Sequence, residues 1–204
     1  MPCATTHKAV HALLRDKRFG RECPPELCTS PQAHLADFYA LESHSMLELE
    51  APRHTRLRGL VLRAFTSRRI KELAPEIDTL SHELVDAFPE GPFNLLTEFA
   101  QKLPVIIIAR LLGVPEDRAD DLLAWSNDMV AMYVSSRNRA TEDRAVAATE
   151  AFVAFMRGYI DEKRKAPADD LITQLIAAEE DGEKLSTDEL ITTCILLLNA
   201  GHEA

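Results

Sequence analysis

The stretch STDELITTCILLLNAGHEA, residues 186–204, decides the fold class. Ser186 and Glu189 stand three residues apart, as in a capping box, where each side chain accepts a hydrogen bond from the other's backbone amide at the start of a helix. Almost every position from Leu190 to Leu198 is apolar, so no face of this helix is suited to water. The stretch therefore predicts a buried central helix in a mainly α protein.

Helical periodicity continues through most of the chain, and most of the 7 glycines and 11 prolines fall between the periodic segments. We predict further helices within residues 6–16, 52–65, 67–88 (with a kink near Pro75), 96–113, 115–129, 141–165 and 169–182. Val105 to Ile108 favours a strand by propensity, but its length and the stop signals Gly113 and Pro115 favour a helix. About seven or eight helices are thus expected, with a long irregular connection in the proline-rich part of residues 20–50.

Composition excludes several classes of protein. The 204 residues are 46% hydrophobic and carry a net charge of −10, which argues against binding to nucleic acids or to acidic membranes. No apolar run reaches the ~20 residues of a membrane-spanning helix. The four cysteines, at positions 3, 23, 28 and 194, form no C-x-x-C pair, and no signal peptide is present, so a cytoplasmic location is expected.

The helix that begins near His54 carries two cationic side chains in an unusual place. Leu57, Leu60 and Val61 define its core-facing arc, at about 100° per residue, and His54 and Arg58 fall on or beside that arc. A guanidinium on a buried edge needs an anionic partner. An ion pair within the chain and a clamp for a carboxylate or phosphate ligand both explain the pattern.

The same region holds a concentration of positive charge in an acidic protein. No acidic residue occurs between Glu50 and Glu72, whereas six arginines do, at positions 53, 56, 58, 63, 68 and 69. Arg56 and Arg63 are expected to point away from the core. This run is either a solvated face or a docking surface for an acidic partner.

The C-terminal part of the central helix combines small residues with a carboxylate. Ala200 and Gly201 remove side-chain bulk, so that another helix or a flat ligand can approach closely, and Glu203 follows them. His202 lies between them and is more typical of a satisfied polar group than of a ligand.

Four segments resemble a known family, in that family's order: AVHALLRDKRFGRE, MLELEAPRHTRLRGLVLRAFTSRRI, LLGVPEDRADDLLAWSNDM and DDLITQLIAAEEDGEKLSTDELITTCILLLNAGHEA. They are similar to segments of the soluble, bacterial-type cytochromes P-450, the haem-thiolate monooxygenases. The resemblance implies a partial cytochrome P-450 fold. It also implies insertion of one oxygen atom of O₂ into a small apolar substrate, bounded by residues 20–50, the helices around 125–145 and the central helix.

The resemblance also implies roles for particular residues. His54 and Arg58 would hold a propionate of haem b. Ala200 and Gly201 would be where the central helix thins over haem and oxygen, with Glu203 as the acid of the pair that delivers protons. An acidic ferredoxin or flavodoxin-like donor would dock at the positive residues Arg56, Arg63, Arg68 and Arg69. One departure is Ala204, which stands where the family usually has threonine.

In the family, the E-x-x-R motif and the iron-binding cysteine loop lie far downstream of the central helix, beyond residues 1–204, so no metal ligand is assigned in this chain. We therefore expect residues 1–204 to be a single partial domain, about the middle half of a monooxygenase. Alone it is expected to be inactive, with an incompletely covered central helix that favours poor packing or self-association; whether it binds haem is left open. The alternative is a non-catalytic helical binding or interaction protein.

Overall fold

A computed structural model gives the architecture of residues 3–24, 26–28, 30–180 and 182–203, with the backbone alone described at 67–69, 179, 180 and 203. Over these ranges the chain forms ten α-helices: α1 (His7–Arg15), α2 (Ala36–Glu42), α3 (Arg53–Ala64), α4 (Ser67–Glu72), α5 (Ala74–Asp86), α6 (Lys102–Leu112), α7 (Ala119–Val130), α8 (Arg139–Lys165), α9 (Leu171–Ala177) and α10 (Thr187–Glu203). A two-stranded antiparallel hairpin, β1 (Glu179–Glu180) and β2 (Glu183–Lys184), pairs Glu179 with Lys184. The mainly α prediction is confirmed.

The central helix α10 begins as its sequence predicts. The backbone amide of Ser186 donates to Glu189 Oε2 at 2.8 Å, and the amide of Glu189 donates to Ser186 Oγ at 3.2 Å. This reciprocal pair satisfies two donors that would have no partner at the first turn of the helix. The start of α10 is therefore encoded locally.

The other helices of the chain bury α10. It packs against α2, α6, α7, α8 and α9, and five of its apolar residues are no more than 3% exposed: Leu190, Ile191, Cys194, Ile195 and Leu198. Leu196 and Leu197 are half-buried. The expectation of an incompletely covered central helix is wrong for the five buried residues, because helices of the same chain already cover them, whereas Leu196 and Leu197 are only partly covered.

Two local differences explain why ten helices occur where about eight were expected. The segment 67–88 is not one kinked helix but two helices, which are separated at Leu73, with Pro75 in the first turn of α5. Proline lacks an amide hydrogen and clashes with the preceding turn, so it is better placed at the start of a helix than inside one. The second difference is α2, which lies in the segment 20–50 and buries Phe38 and Leu41.

Helix α6 ends in a tight arrangement around Gly113. The helical prediction for Val105 to Ile108 is confirmed, and Gly113 terminates α6 in the left-handed conformation, with φ of 81°. A Cβ on Gly113 would lie 2.5 Å from the Asp170 side chain. Asp170 in turn caps α9, because its Oδ1 accepts from the Thr173 amide at 2.8 Å, and its Oδ2 accepts from Lys163 Nζ at 2.5 Å. Glycine at position 113 thus lets α6, α8 and α9 meet.

None of the helices in the described ranges is both long enough and apolar enough to cross a lipid bilayer.

Candidate functional site

A mostly apolar cavity of about 220 Å³ lies beside the middle and the C-terminal part of α10. It is bounded by three parts of the chain: residues 41–47, residues 130–133 and the face of α10 that carries Thr192, Ile195, Leu196, Asn199 and Ala200. These segments are parts of the three regions that the family resemblance implied would bound a substrate, namely residues 20–50, the helices around 125–145 and the central helix. Cavities of this kind, apolar with a few polar groups, are typical of small-molecule sites.

A carboxyl group in the wall of this cavity belongs to Glu42, at the end of α2. Its side chain is buried, and its Oε2 accepts a hydrogen bond from the Tyr133 hydroxyl at 2.9 Å. Burial is the main influence on the Glu42 carboxyl and raises its pKa above the ordinary value. Glu42 and Tyr133 also line a second, more polar cavity of about 570 Å³.

The second cavity contains several ion pairs at its walls. Arg21 binds Glu48, with its Nη2 at 2.7 Å from Glu48 Oε1, and Arg53 Nη2 lies 2.5 Å from Glu22 Oε1. The thiol of Cys28 donates to the carbonyl oxygen of Cys23 at 3.1 Å, also at this cavity. The charged side chains here mostly neutralise each other.

The predicted residues of the α10 C-terminal part differ in what they contact. Ala200 lines the apolar cavity. Gly201 faces another helix, because a Cβ there would lie 2.2 Å from Ile108 Cδ1 on α6. Close helix packing therefore accounts for the glycine. The backbone of Glu203 belongs to α10, but its side chain and Ala204 lie outside the described residues.

His202 is held by a buried hydroxyl. Ser126 Oγ on α7 lies 2.5 Å from Asn199 Oδ1 and 2.5 Å from His202 Nε2. Asn199 Oδ1 can only accept, so the single hydroxyl hydrogen of Ser126 is donated to Asn199. Ser126 Oγ then accepts from His202, which requires the tautomer or charge state that carries a hydrogen on Nε2. The interpretation of His202 as a satisfied polar group agrees with this contact.

His54 and Arg58 lie one turn apart on α3, half-buried and exposed, respectively. Over the described part of the chain, neither side chain has a hydrogen bond or an ion pair, so neither is bonded to residues 200–202 of α10. The expectation that Arg58 lies on a buried edge is wrong, because its side chain is exposed, and no ion pair holds it within these ranges. Both side chains remain available to an anion.

The arginine run is less free than its sequence suggests. Arg56 is half-buried, its Nη2 forms a short ion pair with Glu189, and its Nη1 donates to the Lys184 carbonyl oxygen at 3.3 Å. The expectation that Arg56 points away from the core as a solvated or docking residue is wrong, because α3 packs against α9 and β1 and Arg56 reaches Lys184 and Glu189 just beyond them. Arg63 is exposed, and the side chains of Arg68 and Arg69 lie outside the described residues.

Two of the cysteines, Cys28 and Cys194, have a raised thiol pKa. Cys194 is fully buried in α10, and this burial raises its pKa to about 12. The contact with Cys23 raises the pKa of the Cys28 thiol. In the described ranges, no group of three or more His, Cys, Asp or Glu side chains is arranged to hold a metal ion.

Sequence reasoning did not single out Glu42, Tyr133 or Ser126. Each makes its contact with a residue that is more than 70 positions distant along the chain, so no local spacing reveals it. Asn199 did carry a signal, because it is an amide that interrupts the apolar run CILLLNAG. A buried amide requires a partner, and the partner here is Ser126.

Known proteins resemble this chain along most of its length. The putative cytochrome P450 YjiB of Bacillus subtilis (strain 168) is 35% identical over 198 residues, which cover 95% of this chain and 47% of the relative. The mycinamicin IV hydroxylase/epoxidase of Micromonospora griseorubida is 37% identical over 202 residues, covering 98% of this chain and 48% of that protein. No family model matches the chain.

The fold of the chain also resembles a solved structure over most of its length. The crystal structure of P450BioI, in complex with an acyl carrier protein ligated by hexadec-9Z-enoic acid, superposes with a TM-score of 0.84 at 30% identity. The match covers 94% of this chain and 49% of that one. The chain thus spans about half the length of the relatives it matches, and it has a partial cytochrome P450 fold that corresponds to about half of a bacterial-type cytochrome P450.

Proposed function

We propose that the chain forms part of a haem-thiolate monooxygenase that inserts one oxygen atom of O₂ into a small apolar substrate, using electrons from a redox partner. The observation that carries this proposal is the apolar cavity beside α10, enclosed by residues 41–47, residues 130–133 and the Ala200 face of α10. These segments come from the three regions that the family resemblance assigns to the substrate. Residues 1–204 are proposed to act as one partial domain of a cytoplasmic protein.

The donors on α3 suit the carboxylates of a haem. His54 and Arg58 stand one turn apart, and both are available to an anion. An arginine binds a carboxylate through two parallel N–H donors. We assign Arg58 to hold a haem propionate and His54 to donate a further hydrogen bond to it.

The C-terminal part of α10 is proposed to serve oxygen and protons. A bound haem supplies the iron at which molecular oxygen is activated. Ala200 presents only a methyl group to the cavity, which leaves space for a substrate, and Gly201 lets α10 approach α6 closely. Glu203 is assigned to move protons toward the cavity, together with water or substrate hydroxyls, because Ala204 provides no hydroxyl.

Electron delivery is assigned to three positive residues of the arginine run. Arg63, with Arg68 and Arg69, would attract an acidic ferredoxin or flavodoxin-like protein. Arg56 is assigned a structural role instead, because Glu189 already holds it.

A second candidate is a non-catalytic helical binding or interaction protein. The burial of α10 by helices of this chain favours it, because a segment that covers its own central helix can persist without further elements.

The absorption spectrum of the reduced protein with carbon monoxide separates the two candidates. The chain should be expressed both alone and with any natural sequence that flanks it, and then supplied with haem. A red-shifted band typical of thiolate-bound haem in either preparation supports the monooxygenase. Its absence from both, with the helical fold intact, supports the binding protein.

A further inference from the structure

Glu42 is a buried carboxyl group with one unused oxygen. Only 9% of the residue is exposed, and its Oε2 accepts from Tyr133 at 2.9 Å. Across the residues that the structure describes, Oε1 has no hydrogen-bond partner. The residue lines both the apolar cavity of about 220 Å³ and the more polar cavity of about 570 Å³.

No cation of the described chain neutralises this carboxyl. Arg21 is the arginine whose charge reaches Glu42, but its Nε and Nη2 both donate to Glu48 Oε1, at 2.9 and 2.7 Å. Glu48 adds negative charge nearby, and Tyr133 supplies a neutral donor. A buried carboxyl group without a cationic partner is costly in its ionised form, and burial raises its pKa accordingly.

A pocket for a purely apolar ligand does not need a buried carboxyl group, because an apolar side chain at position 42 would pack against such a ligand more favourably. A ligand that brings a positive charge to Oε1 offsets the free-energy cost of the buried, ionised carboxyl group, because charge-assisted hydrogen bonds are about twice as strong as neutral ones. The rest of the wall, including Leu41, Val130, Ile195 and Leu196, then accommodates the ligand's hydrocarbon part.

We infer that Glu42 is a specificity-determining residue that selects ligands with a protonated amine on a compact hydrocarbon frame. This inference rests on the proposed function in one respect: it identifies the ligand with the substrate of the monooxygenase. Binding of the amine itself requires only the cavity and Glu42. Glu42 binds and orients the amine and takes no part in the chemistry.

A matched pair of probes tests the inference in the haem-free chain, where an amine has no iron to bind. The probes are 1-adamantylamine, which is cationic at neutral pH, and 1-adamantanol, which has nearly the same shape and no charge. Calorimetric titration at pH 7 is expected to show the amine binding at least about ten-fold more tightly than the alcohol, as a charge-assisted bond would give.

Two variants locate the source of this preference. Glu42→Gln keeps the shape of the side chain and is expected to reduce the preference to less than about two-fold. Glu150→Gln removes a carboxylate beside a different cavity and should leave the preference unchanged. Equal affinities in the wild-type chain, or an undiminished preference in Glu42→Gln, would overturn the inference.

The pH dependence gives a second readout that needs no variant. A cation binds the ionised carboxyl, so affinity for the amine should fall as the pH is lowered through the raised pKa of Glu42, whereas affinity for the alcohol should change little. An alkyl amine remains protonated below about pH 10, so the probe itself does not titrate in this range. An amine affinity that is flat with pH would contradict the assignment.

The two proposals fail in different experiments. Amine selectivity without a thiolate band in the carbon monoxide spectrum would support the amine-recognition site and contradict the monooxygenase proposal. A thiolate band without amine selectivity would support the monooxygenase proposal and contradict the amine-recognition site.

Discussion

The hydroxyl of Ser126 lies 2.5 Å from His202 Nε2 and joins α7 to the last turn of α10. The same hydroxyl contacts Asn199, and Ser126 is fully buried. One side chain thus holds two polar groups of the central helix, next to the Ala200 wall of the apolar cavity. Through this contact, the position of α7 is coupled to the end of α10 that the proposed chemistry uses.

Removing that hydroxyl should destabilise the fold. Ser126→Ala leaves Asn199 and His202 without this partner, and an unsatisfied buried polar group costs about 1–3 kcal/mol. Urea unfolding followed by circular dichroism measures the loss. Ser43→Ala is the control, because the exposed Ser43 hydroxyl donates to the Ala40 carbonyl oxygen within its own helical turn. Equal stabilities of the two variants would show that the α7–α10 contact contributes nothing.

Two glycines with the same backbone conformation should respond differently to substitution. Gly113 and Gly91 have φ of 81° and 87°, so alanine at either position costs roughly 1–2 kcal/mol for the left-handed backbone. Only at Gly113 would the new Cβ meet the Asp170 side chain, whereas nothing lies within 4 Å at Gly91. In thermal unfolding, the melting temperature of Gly113→Ala should therefore be well below that of Gly91→Ala. Similar melting temperatures would mean that Asp170 can move aside freely.

Arg56 should act on stability rather than on docking. Its ion pair with Glu189 is half-buried, and hydrogen bonds to charged groups contribute about 1.5–3 kcal/mol. Arg56→Gln is expected to lower the free energy of unfolding by about that amount. Arg139→Gln, which breaks an exposed pair with Asp143 on one helix face, should cost less than about 1 kcal/mol. A double-mutant cycle with Glu189→Gln tests whether the loss comes from this pair, and additive losses would show that it does not.

Arg63 is expected to affect electron transfer. If an acidic electron donor docks at Arg63, the Arg63→Gln substitution should slow reduction of the haem by that donor by up to about ten-fold at low salt. The difference should shrink at high salt, because the Debye length falls from about 30 Å at 0.01 M to 3 Å at 1 M. Stopped-flow reduction at both salt concentrations is the measurement, with Arg139→Gln as the distant control. Rates that do not depend on salt in any of the proteins would leave Arg63 on a solvated face.

Haem retention tests the assignment of α3. Arg58→Ala removes the proposed propionate donor, and the expected loss in haem affinity is on the order of 1–3 kcal/mol. Transfer of haem to apomyoglobin, followed by absorbance, compares this variant with Arg139→Ala. Because Arg58 is exposed and has no partner in the described ranges, the substitution should leave the unfolding temperature unchanged. Identical transfer rates for the two variants would remove Arg58 from the haem site.

The sequence predicts the parts of this structure that depend on neighbours along the chain. The capping box of Ser186 and Glu189 is encoded within four residues, and the burial of α10 follows from its apolar run. The left-handed end of α6 follows from Gly113 and Pro115. For these features, the local pattern contains the whole physical reason.

Contacts between distant segments could not be predicted in this way. Arg56 meets Glu189 across 133 positions, and Tyr133 meets Glu42 across 91. Helical spacing gives the direction of a side chain relative to its own helix, but not which neighbour covers that face. This explains why Arg56 was expected to point away from the core and why Glu42 was not recognised.

The buried thiol of Cys194 has a practical consequence for measuring how the molecule opens. Cys3, Cys23 and Cys28 are exposed, whereas Cys194 lies at the centre of α10 with a pKa raised to about 12. An alkylating reagent reacts with the thiolate, so Cys194 can react only when the helices around α10 separate. Once the three exposed cysteines are replaced by serine, the rate of alkylation measures how often the helices around α10 separate. This rate gives the free energy needed to expose the centre of the protein under native conditions.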